Sequence, residues 1–161
     1  MKRAAWFAVY DGHGGEEASS YLERALHGKV DKALQGAPCA AGGAVAAGGV
    51  VAALEAAFAE ADAELCATPA GEAGSTAACC LCLDGPTGWL LFAANVGDSR
   101  VVLCRRGGAV ALTRDQKPTD PEEKKRITAA GGFVMRGRVL GDLAVSRAFG
   151  DFKFKDADDL E

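Results

Sequence analysis

The apolar positions of this chain change their period several times, and each change marks an element. Residues 5–10, Ala-Trp-Phe-Ala-Val-Tyr, form an apolar run of strand length and read as a buried strand. From Glu16 to Leu34 the spacing becomes helical: Ala18, Tyr21, Leu22, Ala25, Leu26, Val30 and Leu34 fall on one side. Glu16 and Glu17 open that segment, where the helix dipole favours negative charge. Val50 to Cys66 predicts a second amphipathic helix, with Val51, Leu54, Phe58 and Leu65 as its stripe. Between the two, Gln35 to Gly49 (residues 35–49) is an Ala/Gly-rich low-complexity loop.

Past a small-residue loop, Pro69 to Gly74, four strand candidates come in close order: Ser75–Leu83, Trp89–Val96, Arg100–Arg105 and Ala109–Thr113. Asp84-Gly85-Pro86-Thr87-Gly88 and Arg105-Arg106-Gly107-Gly108 are turn signals between them. Strands joined by short turns make an antiparallel meander, not a β-α-β alternation. Pro121 then suits the first position of a helix running to about Ala130, with Asp120 as its cap and Gly131-Gly132 at its end. Short apolar pieces divided by glycine and arginine follow, from Phe133 to Phe154. The pattern is α+β: an antiparallel sheet with helices packed outside it.

Length and composition narrow the picture. A chain of 161 residues has room for one domain with a core, and 49% apolar with 25% charged residues is ordinary for a globular protein. A net charge of −4 and the lack of a basic cluster argue against nucleic acid as a partner. The stretch Lys117 to Arg126 mixes signs, as a solvated helix start does. The apolar N-terminal run is short, lacks a small-residue cleavage site and stops at Asp11, so it reads as a strand and not a signal peptide. Ala37 to Leu54 is uncharged but too broken by glycine to span a membrane. None of the six cysteines forms a Cys-x-x-Cys pair. Cys80 and Cys82 would share one face of a strand and Cys79 the other, as reduced thiols, which fits an intracellular protein, cytoplasmic or nuclear.

The chemistry concentrates in Phe7-Ala8-Val9-Tyr10-Asp11-Gly12-His13-Gly14-Gly15. A strand that stops at a carboxylate places that acid at a sheet edge, and the glycines let backbone carbonyls approach a bound group. Asp11 can bind a hard cation and His13 can move a proton. The same residues could equally be a strand-to-helix turn capped by Asp11. A nucleotide loop does not fit, because neither Gly-x-x-x-x-Gly-Lys-Ser/Thr nor Gly-x-Gly-x-x-Gly is present.

Five segments together resemble the metal-dependent protein serine/threonine phosphatases of the protein phosphatase 2C (PPM) type. They are Phe7–Gly15, Gly74-Ser75-Thr76-Ala77, Ala94-Asn95-Val96-Gly97-Asp98-Ser99-Arg100, Leu112–Pro118 with Gln116 where histidine is usual, and Arg138–Asp151. They stand in the family's order. The resemblance implies an antiparallel β-sandwich flanked by helices, in α-β-β-α layers. It implies hydrolysis of phosphoserine and phosphothreonine by water held between two Mg²⁺ or Mn²⁺ ions, with a third, more weakly held metal beside them. Phosphorylated proteins would be the substrates, nucleic acid and membranes would not be partners, and a complete domain would act as a monomer.

Carried over by residue, Asp11 would bridge both metals, Gly12 would offer its carbonyl, and His13 would be the general acid. Asp98 would serve a third metal, although a turn aspartate bonding its own backbone is the alternative. Asp115, Asp142, Asp151 and Arg147 are expected to be structural or solvated, and His27 a surface or packing residue. The family's phosphate-binding arginine and a metal-linked glutamate lie before the first strand, and its later Asp-Gly and Asp-Asn segments lie after the Ser-Arg-Ala-x-Gly-Asp motif. None of these has a match here, so the resemblance implies a partial catalytic domain, incomplete at both ends. It leaves a catalytically inactive fragment or binding module as the alternative.

Overall fold

In a computed structural model, residues 4–36, 47–85 and 88–155 are described. Strand β1 (Ala4–Val9) pairs antiparallel with β4 (Ala77–Gly85), which pairs antiparallel with β5 (Gly88–Val96), giving the order β1-β4-β5. Alternation along β4 sends Ala77, Cys79, Leu81 and Leu83 to the buried face. The register puts Trp6 opposite Leu81 and Leu81 opposite Phe92, so these side chains share that face.

Two helices cover it. Helix α1 (Glu17–Gln35) buries Ala18, Leu22, Leu26, Val30 and Leu34, as its spacing predicts. Helix α2 (Ala47–Cys66) begins three residues before the expected Val50, inside the segment read as a loop; the rest of that loop, residues 37–46, lies outside the described residues. Its buried stripe is Val50, Ala53, Leu54, Ala57, Ala61 and Leu65. Val51, placed in the stripe from sequence, is instead 45% exposed. Alanines four residues apart line the contact, and these small side chains turn Val50 inward and Val51 out. Across the helix pair, Lys29 of α1 meets Glu60 at 3.1 Å and also Glu64.

The expected strand Ser75–Leu83 is two strands. Gly74–Ser75 (β3) belongs to a separate ribbon, and only after Thr76 does β4 join the main sheet. That ribbon has the order β10-β3-β2, with β2 at Gly12–His13 and β10 at Phe149–Gly150. The meander holds for β4 and β5 only. Strands β6 (Val102–Arg105) and β7 (Gly108–Ala111), each shorter than expected, form a hairpin of their own. So do β8 (Val134–Met135) and β9 (Arg138–Val139). Their turns, Arg106-Gly107 and Arg136-Gly137, have both residues at positive φ, the conformation that matches the twist of two-residue hairpins. Helix α3 (Pro121–Ala129) starts where Pro121 and the Asp120 cap predict, and the Asp120 side chain accepts from the N–H groups of Glu122 and Glu123.

These elements are the expected α+β class, with antiparallel sheets and helices. Phe7 and Val9, on the face of β1 turned from the helices, are 63% and 64% exposed. No described helix is long and apolar enough to cross a membrane. The free cysteines range from buried Cys79 to exposed Cys104.

Candidate active site

The short ribbon assembles the site. Leaving β1, the chain passes Asp11, whose carbonyl accepts from the Thr76 N–H at 3.0 Å, and enters β2. His13 lies opposite Gly74 of β3, and Gly150 of β10 lies opposite the same Gly74 on its other side. Asp151, one residue on, adopts a left-handed conformation with φ 52°. The result is a hydrogen bond from His13 Nε2 to Asp151 Oδ2 at 2.6 Å. A methyl group on Gly74 would sit 2.2 Å from His13 Nε2 and 2.3 Å from Asp151 Oδ2, so only glycine fits beneath this pair.

Asp98 is presented by a second braced turn. Gly97, at φ 88°, packs against Thr76; a Cβ on it would lie 2.8 Å from Thr76 Cγ2. Its N–H donates to Gln116 Oε1 at 2.8 Å, and its carbonyl accepts from the Gln116 N–H at 2.9 Å. Gln116 thus fills the place of the usual histidine by clamping the turn with side chain and backbone together. The hydroxyls of Thr76 and Ser99 share a hydrogen bond of 2.6 Å. Among the described residues the Asp98 carboxylate makes no hydrogen bond to its own turn, the alternative read from sequence; Lys117 Nζ lies 3.5 Å from it. Asp115 is held by a two-pronged pair with Arg100 at 2.7 and 2.8 Å, the structural role expected of it. Asp142 and His27 are exposed.

Asp11, Gly12, His13 and Asp98 all line one cavity of about 480 Å³, together with Arg138 and Lys153. A second cavity of about 350 Å³ lies among Phe58, Ile127, Val139, Leu143 and Phe149, is mainly apolar, and lacks Asp11, His13 and Asp98. The Asp151 hydrogen bond raises the His13 pKa most; partial burial opposes it, and the negative charges of Asp151, Asp11 and Asp98 add to the rise. The imidazole therefore keeps its proton to higher pH than a free histidine, which suits a proton donor.

Asp151 is the residue that sequence reasoning undervalued. It was expected to hold loop geometry, and it holds His13. The two are 138 positions apart, and no local pattern joins them.

The donors are hard oxygens, which match Mg²⁺ or Mn²⁺ in kind. They fall short in number: no group of three or more His, Cys, Asp or Glu side chains gathers as a metal site among the described residues. Asp11, the Gly12 carbonyl and Asp98 fit part of a binding set.

Known proteins resemble this chain along nearly its whole length. The family model described as Protein phosphatase 2C matches residues 2–159. The chain belongs to the protein phosphatase 2C family, whose members are generally dependent on Mg²⁺ or Mn²⁺. It is 46% identical over 154 residues to a probable protein phosphatase 1N of Mus musculus, covering 95% of this chain and 36% of that protein. It is 39% identical over 166 residues to an integrin-linked kinase-associated serine/threonine phosphatase 2C of Bos taurus, covering 96% and 43%. Among solved structures it matches a phosphatase from a pathogenic strain of Toxoplasma gondii with TM-score 0.75 and 27% identity, over 96% of this chain and 59% of that one. A C. elegans sex determining protein matches with TM-score 0.77 and 28% identity, over 96% and 37%. The chain thus spans less than half the length of these two curated relatives.

Proposed function

We propose that this chain carries part of a catalytic domain that hydrolyses phosphoserine and phosphothreonine in proteins. The supporting observation is convergence: Asp11, Gly12 and His13 from one segment and Asp98 from another line the same cavity. Asp11, the Gly12 carbonyl and Asp98 would hold Mg²⁺ or Mn²⁺. Such an ion, when bound, makes water more acidic and neutralises phosphoryl charge. Arg138 and Lys153 add positive charge to the cavity wall, suited to a phosphate dianion. Attack by water on phosphorus breaks the bond to the seryl or threonyl oxygen, and His13 gives that oxygen its proton.

One observation favours a second reading, a non-catalytic binding module of the same fold: the described residues bring together fewer than three metal-ligating side chains. Hydrolysis of p-nitrophenyl phosphate by the chain, with and without Mn²⁺ and beside Asp11→Ala, separates the two. Mn²⁺-dependent turnover that disappears in Asp11→Ala is the expected result. A folded chain with no turnover would leave a catalytically inactive fragment or a binding module.

A further inference from the structure

We propose that Asp151 is the positioning residue for His13: its carboxylate takes the Nε2–H, fixes the tautomer and plane of the ring, and leaves Nδ1 for the reacting group. The inference rests on the phosphatase reading for its catalytic part and on geometry alone for the rest.

Three features carry it. Asp151 is buried, only 4% exposed, and among the described residues its carboxylate has His13 as its one side-chain hydrogen-bond partner, at 2.6 Å. A buried carboxylate is costly unless something binds it, so this pair is a committed one. Second, the carboxylate is itself fixed. The Asp151 N–H donates to the Ala73 carbonyl at 3.1 Å, and the preceding Gly150 N–H donates to Asp62 Oδ1 of α2 at 2.9 Å. Lys155 closes onto the same Asp62 at 2.7 Å. Third, the pair lies over Gly74, where any side chain would intrude. Nδ1 has no hydrogen-bond partner among the described residues.

A carboxylate bound to one imidazole nitrogen sets which nitrogen is free to work, the logic of histidines oriented by an acid in many hydrolytic and metal sites. In the proposed reaction, attack by water forms a P–O bond while the bond from phosphorus to the seryl oxygen breaks. Its electron pair stays on that oxygen, which takes the Nδ1 proton of the imidazolium form of His13; the water's proton goes out with the phosphate or to solvent, and the other ring proton stays on Nε2, hydrogen-bonded to Asp151. A ring free to turn or to exchange tautomers would present that proton only part of the time.

The first test does not need turnover. Long-range ¹H–¹⁵N correlation of the His13 ring in the full 161-residue chain, at alkaline pH where the imidazole is neutral, should show the proton on Nε2. Asp151→Gly tolerates the left-handed backbone and deletes the carboxylate; it should populate both tautomers. A wild-type ring protonated on Nδ1, or averaging both forms, overturns the proposal without any variant, as does a folded Asp151→Gly with the wild-type tautomer.

The second test reads the catalytic part. Phenyl phosphate has a poor leaving group that needs an acid, whereas nitrophenolate leaves with little help. Asp151→Asn should lower kcat on phenyl phosphate by about tenfold more than on p-nitrophenyl phosphate, with KM little changed, since general acids contribute factors of this size or larger. Equal losses on both substrates would refute a role in proton donation. If the wild-type chain turns over neither ester, the chain by itself is not the catalyst, and the ring spectrum still decides whether Asp151 sets His13.

Discussion

Glu123 of α3 and Arg147 form a two-pronged ion pair: Arg147 Nε donates to Oε2 at 2.9 Å and Nη2 to Oε1 at 2.6 Å. Arg126 shares Oε2 at 2.9 Å and also donates to the Ser146 carbonyl at 2.6 Å. Arg147 stands two residues before β10, so this cluster ties α3 to the segment that delivers Asp151 to His13. On the other side, Asp62 of α2 holds Gly150. One short segment is therefore gripped from two helices.

The Glu123 cluster makes stability depend on acid pH. Burial would raise the Glu123 pKa, but hydrogen bonds from Arg147 and Arg126 outweigh it and bring the carboxyl down to about 2. A carboxyl with a depressed folded-state pKa stabilises the fold above its ordinary value of 4.5 and loses that contribution as pH falls from there towards 2. Urea unfolding at pH 7 and pH 3 should show a loss on the order of 2 kcal/mol from this group, discounted for the half-exposed Arg147. Glu123→Gln should be weaker at pH 7 and should lose less on acidification. An unchanged pH dependence in Glu123→Gln would refute the assignment.

Gly74 and Gly14 separate space from backbone conformation. Gly74 has an ordinary φ, yet a methyl there would enter the His13–Asp151 contact. Gly14 sits at φ 71° with open room, its nearest neighbour 3.7 Å from the added carbon. Gly74→Ala should cost about 1–3 kcal/mol through overpacking and abolish the preference for Nε2–H in His13. Gly14→Ala should cost about 1 kcal/mol through left-handed strain and leave the His13 ring as it was. Chemical denaturation and the imidazole spectrum check both, and a normal His13 tautomer in Gly74→Ala would contradict the steric account.

What the sequence made legible follows from how local each signal is. The α1 stripe was readable because five buried positions repeat at helical spacing within one segment. Asp11, Gly12 and His13 were readable because they are contiguous. The break at Thr76 was hidden, since Ser75 to Leu83 reads as one run of small and apolar residues; pairing with β2 and β10 on one side and with β1 and β5 on the other divides it. Val51 was misplaced because a stripe of alanines carries too little contrast to orient α2. The link from His13 to Asp151 was out of reach because three strands must first align around Gly74.

The exposed face of the main sheet yields the last prediction. Phe7 and Val9 on β1, with Trp89 and Leu91 on β5, are apolar and exposed, and β1 and β5 are the edge strands of the sheet among the described residues. An apolar face bounded by open strand edges favours association between chains. The chain alone should therefore self-associate as its concentration rises. Phe7→Ser with Val9→Thr should reduce this, because both positions lie on the side turned from α1 and α2 and their loss opens no cavity in the core. Sedimentation at increasing concentration, with the far-ultraviolet spectrum as a control for folding, reads the outcome. Equal self-association in the variant would show that other surfaces drive it, while unfolding of the variant would show that this face already supports the fold.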